Sequence, residues 1–285
     1  MKLASYRIGD RETYGLVDGE GVIDAGARLS FPDLKSALAQ EGVMEIAKLD
    51  GSGPDHDLAD IQFLPVIPNP GMILCVGLNY ATHIREMGRD MPQYPALFPR
   101  YPGSQVGHGQ PLIRPKVSDR FDFEGELALV IGRGGRYIPK ERALEHVAGY
   151  ACYNDGSIRD WQWHTHQFLP GKNFMKSGSF GPWLVTKDEI PDPSKLTLET
   201  RLNGSEMQKT GLDDLVFSAP DLIEYISTFT ELKPGDVILT GTPGGVGAAR
   251  KPPVFMKPGD RVEVEISGIG ILANPIVAEG SQEQP

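Results

Sequence analysis

The stretch Phe121-Asp-Phe-Glu-Gly-Glu-Leu-Ala-Leu-Val-Ile131 constrains this chain more than any other. Its acids Asp122, Glu124 and Glu126 alternate with other residues ahead of an unbroken apolar run. In a strand alternate side chains share a face, so three carboxylates would line one side at intervals of roughly 7 Å. Carboxylates held that close repel one another unless a cation or a raised pKa relieves them. Most Glu-x-Glu pairs sit on solvated edge strands, but the continuation from Leu127 to Ile131 reads as core, which favours a bound cation. Asp155 ends the next apolar stretch and completes a candidate trio with Glu124 and Glu126. An all-oxygen donor set suits Mg²⁺ or Mn²⁺ better than zinc.

The surroundings of that stretch exclude several classes. A net charge of −10, with no basic run, argues against nucleic-acid or anionic-membrane partners. No segment approaches the ~18 apolar residues of a membrane span, and the first residues lack the apolar core of a signal peptide, so a cytoplasmic protein is expected. Cys75 and Cys152 sit in apolar runs without metal-type spacing and read as buried thiols. The 34 Gly and 24 Pro predict many turns and short strands, hence a β-rich α+β fold.

The chain divides at its proline-rich Pro65-Val-Ile-Pro-Asn-Pro70. Residues 1–66 read as a small N-terminal α+β domain: a short meander, then a helix-permissive stretch from Leu34 to Leu49, broken at Gly42. Residues 67–279 form the main body, and 280–285 a frayed tail. In the main body a hairpin is expected at Asn203-Gly204. Ser218 to Asp221 caps a helix running to Phe229, and two Lys-Pro-Gly-Asp turns at 233 and 257 launch strands.

Other residues carry candidate chemistry. If Gly77 to Gly88 holds a short helix, His83 and Glu86 share a face, and a histidine oriented by a carboxylate is a usable general base; the same spacing also describes a surface ion pair. Arg100 can meet an acidic substrate, although a lone arginine is more often at the surface. Ser157 to Phe168 reads as a helix with Gln162 and His166 on one face. His164 and His166, two apart on that helix, point different ways and are rejected as a zinc pair. Lys172 can stabilise charge on a reacting oxygen, against the bland alternative of a surface lysine. The glycine-rich loop after Val237-Ile-Leu-Thr240 lacks the ending of a phosphate loop, yet its backbone amides can hold a carboxylate.

Taken in order, these pieces resemble the fumarylacetoacetate hydrolase family. The resemblance runs through Cys75-Val-Gly-Leu-Asn-Tyr80 with His83 and Glu86, Asp122-Phe-Glu-Gly-Glu-Leu127, Asn154-Asp155 with Arg159-Asp-Trp-Gln162, Gly171-Lys-Asn-Phe174, Gly181-Pro-Trp183, and Pro234-Gly-Asp-Val-Ile-Leu-Thr-Gly-Thr-Pro243. It implies a mixed β-sheet roll, a homodimer, and Mg²⁺ or Mn²⁺ on Glu124, Glu126 and Asp155. It also implies His83 and Glu86 as a water-activating dyad and places Lys172, Gln162 and Thr242 at a small anionic oxo acid, for which Tyr80, Arg100 and His166 are further candidate contacts. The sequence departs from the family at Gly156, Met175 and Arg100-Tyr101, which bears on substrate identity. The reaction expected is hydrolytic carbon–carbon cleavage of a 2,4-dioxo acid to pyruvate or a related 2-oxo acid. Isomerisation of an oxo-diene acid and decarboxylation of oxaloacetate use the same metal–enolate chemistry, and a non-catalytic acid-binding protein is the alternative of a different class.

Overall fold

The computed structural model describes residues 1–86 and 90–281, without the side chains of His83 and Glu86. Its apolar strands assemble into one mixed sheet of 12 strands. At its centre Gly125–Ile131 pairs antiparallel with Val147–Asn154 on one side and Val237–Leu239 on the other; Val237–Leu239 in turn runs parallel to Ile73–Gly77. Every residue of Gly125–Ile131 is buried, because the strand is covered on both faces. Leu127, Leu129 and Ile131 pack with Leu222, Ile223 and Ile226 of the Ala219–Phe229 helix, whereas Ala128 and Val130 pack with Leu3, Tyr14 and Leu34. Each such Leu or Ile withdrawn from water contributes about 1.5–3 kcal/mol.

A second sheet of five strands curls over the first, in the order Ser205–Gly211, Thr197–Leu202, Arg261–Ile266, Gly270–Ala278, Leu112–Arg114. Thr197–Leu202 and Arg261–Ile266 alternate buried and partly exposed residues, as strands with one covered face must. Leu198, Val264, Ile266 and Leu272 meet the same core as the central strand, which closes the β-rich α+β roll.

Local readings are realised where turn chemistry is strong. Asn203 (φ 52°) and Gly204 (φ 79°) form the hairpin turn, both in the left-handed region that this geometry demands. Ser218 caps its helix with a reciprocal box to Asp221. The two Lys-Pro-Gly-Asp turns are alike in structure: Asp236 accepts from the Lys233 N–H at 2.8 Å and Asp260 from the Lys257 N–H at 2.7 Å. Both cysteines are free and buried.

Three expectations are corrected. The acidic stretch is not one strand: Phe121–Asp122 pairs with Ser157–Ile158 in a separate two-stranded ribbon, and the main-sheet strand begins at Gly125. Asp122 therefore leaves the row that Glu124 and Glu126 were expected to continue. The helix from Ser157 to Phe168 is helical only over Arg159–Gln162, with a second turn at Leu169–Lys172, so Gln162 and His166 share no helical face. Finally, residues 1–66 extend the main sheet. Lys2 pairs with Val185 and Leu3 with Leu184 of the Gly178–Thr186 strand, and the Leu34–Ala39 helix packs into the core shared with Ala128 and Val130.

Candidate active site

The register of the central sheet builds the site. Gly125 lies opposite Asn154, so the residues just before and just after them, Glu124 and Asp155, meet where the two strands end. The Asp155 N–H donates to the Glu124 carbonyl at 2.8 Å. Glu126 lies one residue into its strand, and ligand oxygens of Glu124, Glu126 and Asp155 fall within 4.8 Å of one another.

Three buried cations face four buried carboxylates. Arg100 reaches Asp155 at 2.5 Å, and Lys172 bridges Asp155 (2.6 Å) and Glu124 (2.7 Å). Arg159 bridges Glu124 (2.6 Å) and Asp122 (2.8 Å). Glu126 is the one left over: among the described residues it has no cationic partner and accepts from the Gly241 N–H at 2.8 Å. Burial, then the charges of Asp155 and Glu124, push its pKa well above the usual carboxylate range. Burial works the same way on Asp155, but Lys172 and Arg100 outweigh it and hold that carboxyl below its ordinary value. For Lys172 burial opposes the charge, and Asp155 and Glu124 overcome it, so the group stays an ammonium. Glu126 therefore favours its neutral form until a further cation joins the three converging hard oxygen donors, the arrangement into which a divalent ion fits.

The glycine-rich loop does hold carboxylates, but they are the protein's own. Besides Gly241 on Glu126, the N–H groups of Gly247 (2.8 Å) and Ala248 (2.9 Å) donate to Asp122, which in turn orients Arg159. A methyl group on Gly247 would sit 1.8 Å from the Val254 carbonyl oxygen, so the close approach requires glycine.

A pocket of about 400 Å³ opens onto this cluster. Glu124, Arg159, Gln162, Lys172 and Thr242 supply its polar lining, and Val76, Phe98 and Phe168 contribute apolar wall. Leu78 lines it in the left-handed conformation (φ 56°), a strained state for a side chain with a Cβ. The following Asn79 pins that bend, donating to the Phe217 (3.0 Å) and Thr240 (2.8 Å) carbonyls.

The predicted residues separate accordingly. Glu124, Glu126, Asp155 and Lys172 converge, and Gln162 and Thr242 line the pocket. Lys172 is buried, so the surface alternative fails. Arg100 is neither at the surface nor in the pocket lining: its guanidinium is enclosed and spent on Asp155, Ser104, Ser177 and the Gly156 carbonyl. Tyr80 is fully buried outside the lining, and His166 is exposed on the loop that replaces the expected helix. His83 and Glu86 lie on the Ala81–Glu86 helix, but their side chains are outside the described residues. Asp122 and Arg159 form the part of the site whose roles were missed. Asp122 is held by a backbone loop more than a hundred residues on and in turn holds Arg159, a link that spacing does not reveal.

Comparison with known proteins places the chain in a family. The Fumarylacetoacetate (FAA) hydrolase C-terminal family matches residues 72–277. A protein of Xenopus laevis named oxaloacetate tautomerase fahd2, mitochondrial, is 40% identical over 290 residues, covering 97% of this chain and 90% of its own. The crystal structure of 5-carboxymethyl-2-hydroxymuconate delta-isomerase from Mycobacterium smegmatis is similar with a TM-score of 0.78 at 33% identity, covering 99% of this chain and all of its own. That of maleylpyruvate hydrolase from Sphingobium sp. SYK-6, in complex with manganese(II) ion and pyruvate, has a TM-score of 0.82 at 28% identity, with 98% and 99% covered.

Proposed function

The chain belongs to the fumarylacetoacetate hydrolase family, and from that premise we propose that it interconverts the enol and keto forms of a small 2-oxo acid, oxaloacetate first among them. The observation that carries this reading is the buried Lys172 ammonium, which lines the pocket while bridging Glu124 and Asp155. Tautomerisation of the enol adds a proton at C3 and removes one from the C2 hydroxyl, and a positioned acid with a basic partner suffices for that. Lys172 is charged, fixed, and 2.7 Å from a Glu124 oxygen that can pass a proton back to it. It would deliver a proton to C3 of the enol, while the hydroxyl proton leaves through Glu124 to restore the ammonium. Glu124, Glu126 and Asp155 would hold Mg²⁺ or Mn²⁺, which supplies electrophilic stabilisation of a 2-oxo oxygen. Thr242 is fixed by accepting from Gln208 at 2.8 Å and donating to the Gly125 carbonyl at 3.0 Å, so it shapes the wall. Similarity along 97% of this chain, at 40% identity, to a protein named for oxaloacetate tautomerisation supports the choice of substrate.

Hydrolysis of a 2,4-dioxo acid is the second reading. It is favoured by the Ala81–Glu86 helix, which carries His83 and Glu86 and starts three residues after the pocket residue Leu78. The two readings part at that helix, since a hydrolase needs activated water and a tautomerase does not. The His83→Ala enzyme should retain acceleration of enol-oxaloacetate ketonisation, followed by ultraviolet absorbance. Acylpyruvates cleaved with ¹⁸O taken up from water, without any acceleration of ketonisation, would install the hydrolase instead.

A further inference from the structure

Arg100 is wholly committed to its surroundings. Each of its five N–H groups has an acceptor: Nε donates to the Ser104 hydroxyl at 3.2 Å, Nη1 to Asp155 Oδ1 at 2.5 Å and the Gly156 carbonyl at 3.0 Å, and Nη2 to the Ser104 carbonyl at 3.1 Å and the Ser177 hydroxyl at 2.9 Å. Both hydroxyls are themselves fixed, because Ser104 donates its proton to the Tyr101 carbonyl at 2.7 Å and Ser177 to the Phe174 carbonyl at 2.8 Å. The backbone also closes on the group, since a methyl on Gly178 would lie 2.6 Å from Nη2. The guanidinium therefore has one position, and Asp155 Oδ1 is fixed with it. Lys172 is held differently, by Asp155 Oδ2 (2.6 Å) and Glu124 Oε2 (2.7 Å) alone, at the end of a flexible stem.

We infer that Arg100 is a positioning residue that restricts Asp155 to ligation through one oxygen, and so adapts the acidic trio to a small octahedral ion at the expense of calcium. An ion gripped by both oxygens of Asp155 would share Oδ1 with a guanidinium nitrogen 2.5 Å away, which sets two cations against one oxygen in a buried site. Glu124 is constrained in the same sense, because Arg159 holds its Oε1 at 2.6 Å. A trio that offers single oxygens suits Mg²⁺ or Mn²⁺, which accept few carboxylates in octahedral geometry and complete it with water. Ca²⁺ takes about six to eight oxygens and readily closes on both oxygens of a carboxylate, so it loses most by the restriction. Arg100 is one of the positions at which the sequence departs from the family, so the constraint belongs to this chain. The inference rests on the reading of the trio as a metal site and not on any turnover.

The test measures cation binding in the absence of substrate. Mn²⁺ is titrated into the full chain after chelator treatment, followed by the paramagnetic resonance of the free ion, and Ca²⁺ is then titrated in as competitor. Wild type should bind Ca²⁺ at least about tenfold more weakly than Mn²⁺. Arg100→Lys keeps the charge but loses the fork and its anchors, which frees the second oxygen of Asp155. It should tighten Ca²⁺ about tenfold and leave Mn²⁺ within about threefold, a change of the size that outer-shell partners exert on metal affinity. Ser177→Ala removes one anchor of Nη2 and no charge, and should move the same ratio in the same direction by a smaller factor. Equal weakening of both ions by Arg100→Lys, or an unmoved ratio, would reduce Arg100 to a support of the fold and overturn the inference. Where that variant fails to fold, the Ser177→Ala ratio decides in the same way. Equal wild-type affinities would overturn the inference without any variant, whereas wild type that binds no Mn²⁺ would overturn it together with the metal reading of the trio.

Discussion

Glu126 and Arg100 sit on opposite sides of one electrostatic balance, and their substitutions should move stability in different directions. Glu126 is the carboxylate without a cation, so Glu126→Gln removes nothing that the metal-free fold needs. In excess chelator this variant should melt no lower than wild type. Adding Mn²⁺ at a hundred times its Kd should stabilise wild type by about 2.7 kcal/mol and leave the variant unmoved. A marked loss of chelator-treated stability would contradict the pairing described. Arg100→Met leaves Asp155 buried with Lys172 alone and should cost about 3–5 kcal/mol in denaturant unfolding, because an uncompensated buried charge remains. A cost below 1 kcal/mol would return Arg100 to the role of substrate contact expected from sequence.

At the scale of elements, two loops decide how well the strands are used. Gly247→Ala would drive a methyl group into the Val254 carbonyl and against Asp122, displacing the loop that orients Arg159. Overpacking of this kind costs about 1–3 kcal/mol, and here it should also reduce activity at least as strongly as Asp122→Asn. Unaltered kinetics would separate the loop from the site. In the N-terminal meander Asp24 accepts from Thr13 (2.8 Å) and the Ala27 N–H (3.0 Å) and pairs with Arg11. Burial alone would raise its pKa, but those partners outweigh burial and hold it below the ordinary value. A lowered acid contributes stability that is complete above its unfolded pKa and fades as pH falls through the folded one. Unfolding midpoints taken from pH 5 downward should therefore drop less steeply in Asp24→Asn than in wild type. The same elements show what sequence can carry. Hairpin, capped helix and paired turns were legible because their signals are local, in Asn203-Gly204, Ser218 to Asp221 and the Lys-Pro-Gly-Asp repeats. The trio was legible because like charges beside an apolar run demand a physical explanation. The break at Phe123-Glu124, the kinked segment after Gln162 and the burial of Arg100 were not, since each is imposed by partners distant in sequence.

Over the whole molecule, the first 66 residues and the main body share a sheet edge and a core. Removing residues 1–66 would expose the Gly178–Thr186 strand edge and strip Leu3, Tyr14 and Leu34 from their cluster. The remaining piece should aggregate or unfold, and a soluble fragment with native circular dichroism would count against this coupling. The homodimer drawn from family resemblance stays a proposal that light scattering checks: twice 31.1 kDa supports it and a single chain's mass opposes it. We propose that four carboxylates and three cations form one metal-dependent site for moving a proton on a 2-oxo acid. Its most direct test is the rate of ketonisation of freshly dissolved enol-oxaloacetate with enzyme and Mn²⁺, with enzyme and excess chelator, and with Lys172→Met and Mn²⁺. Acceleration is expected in the first case alone, whereas equal acceleration in chelator, or undiminished acceleration by Lys172→Met, would contradict that role for the site.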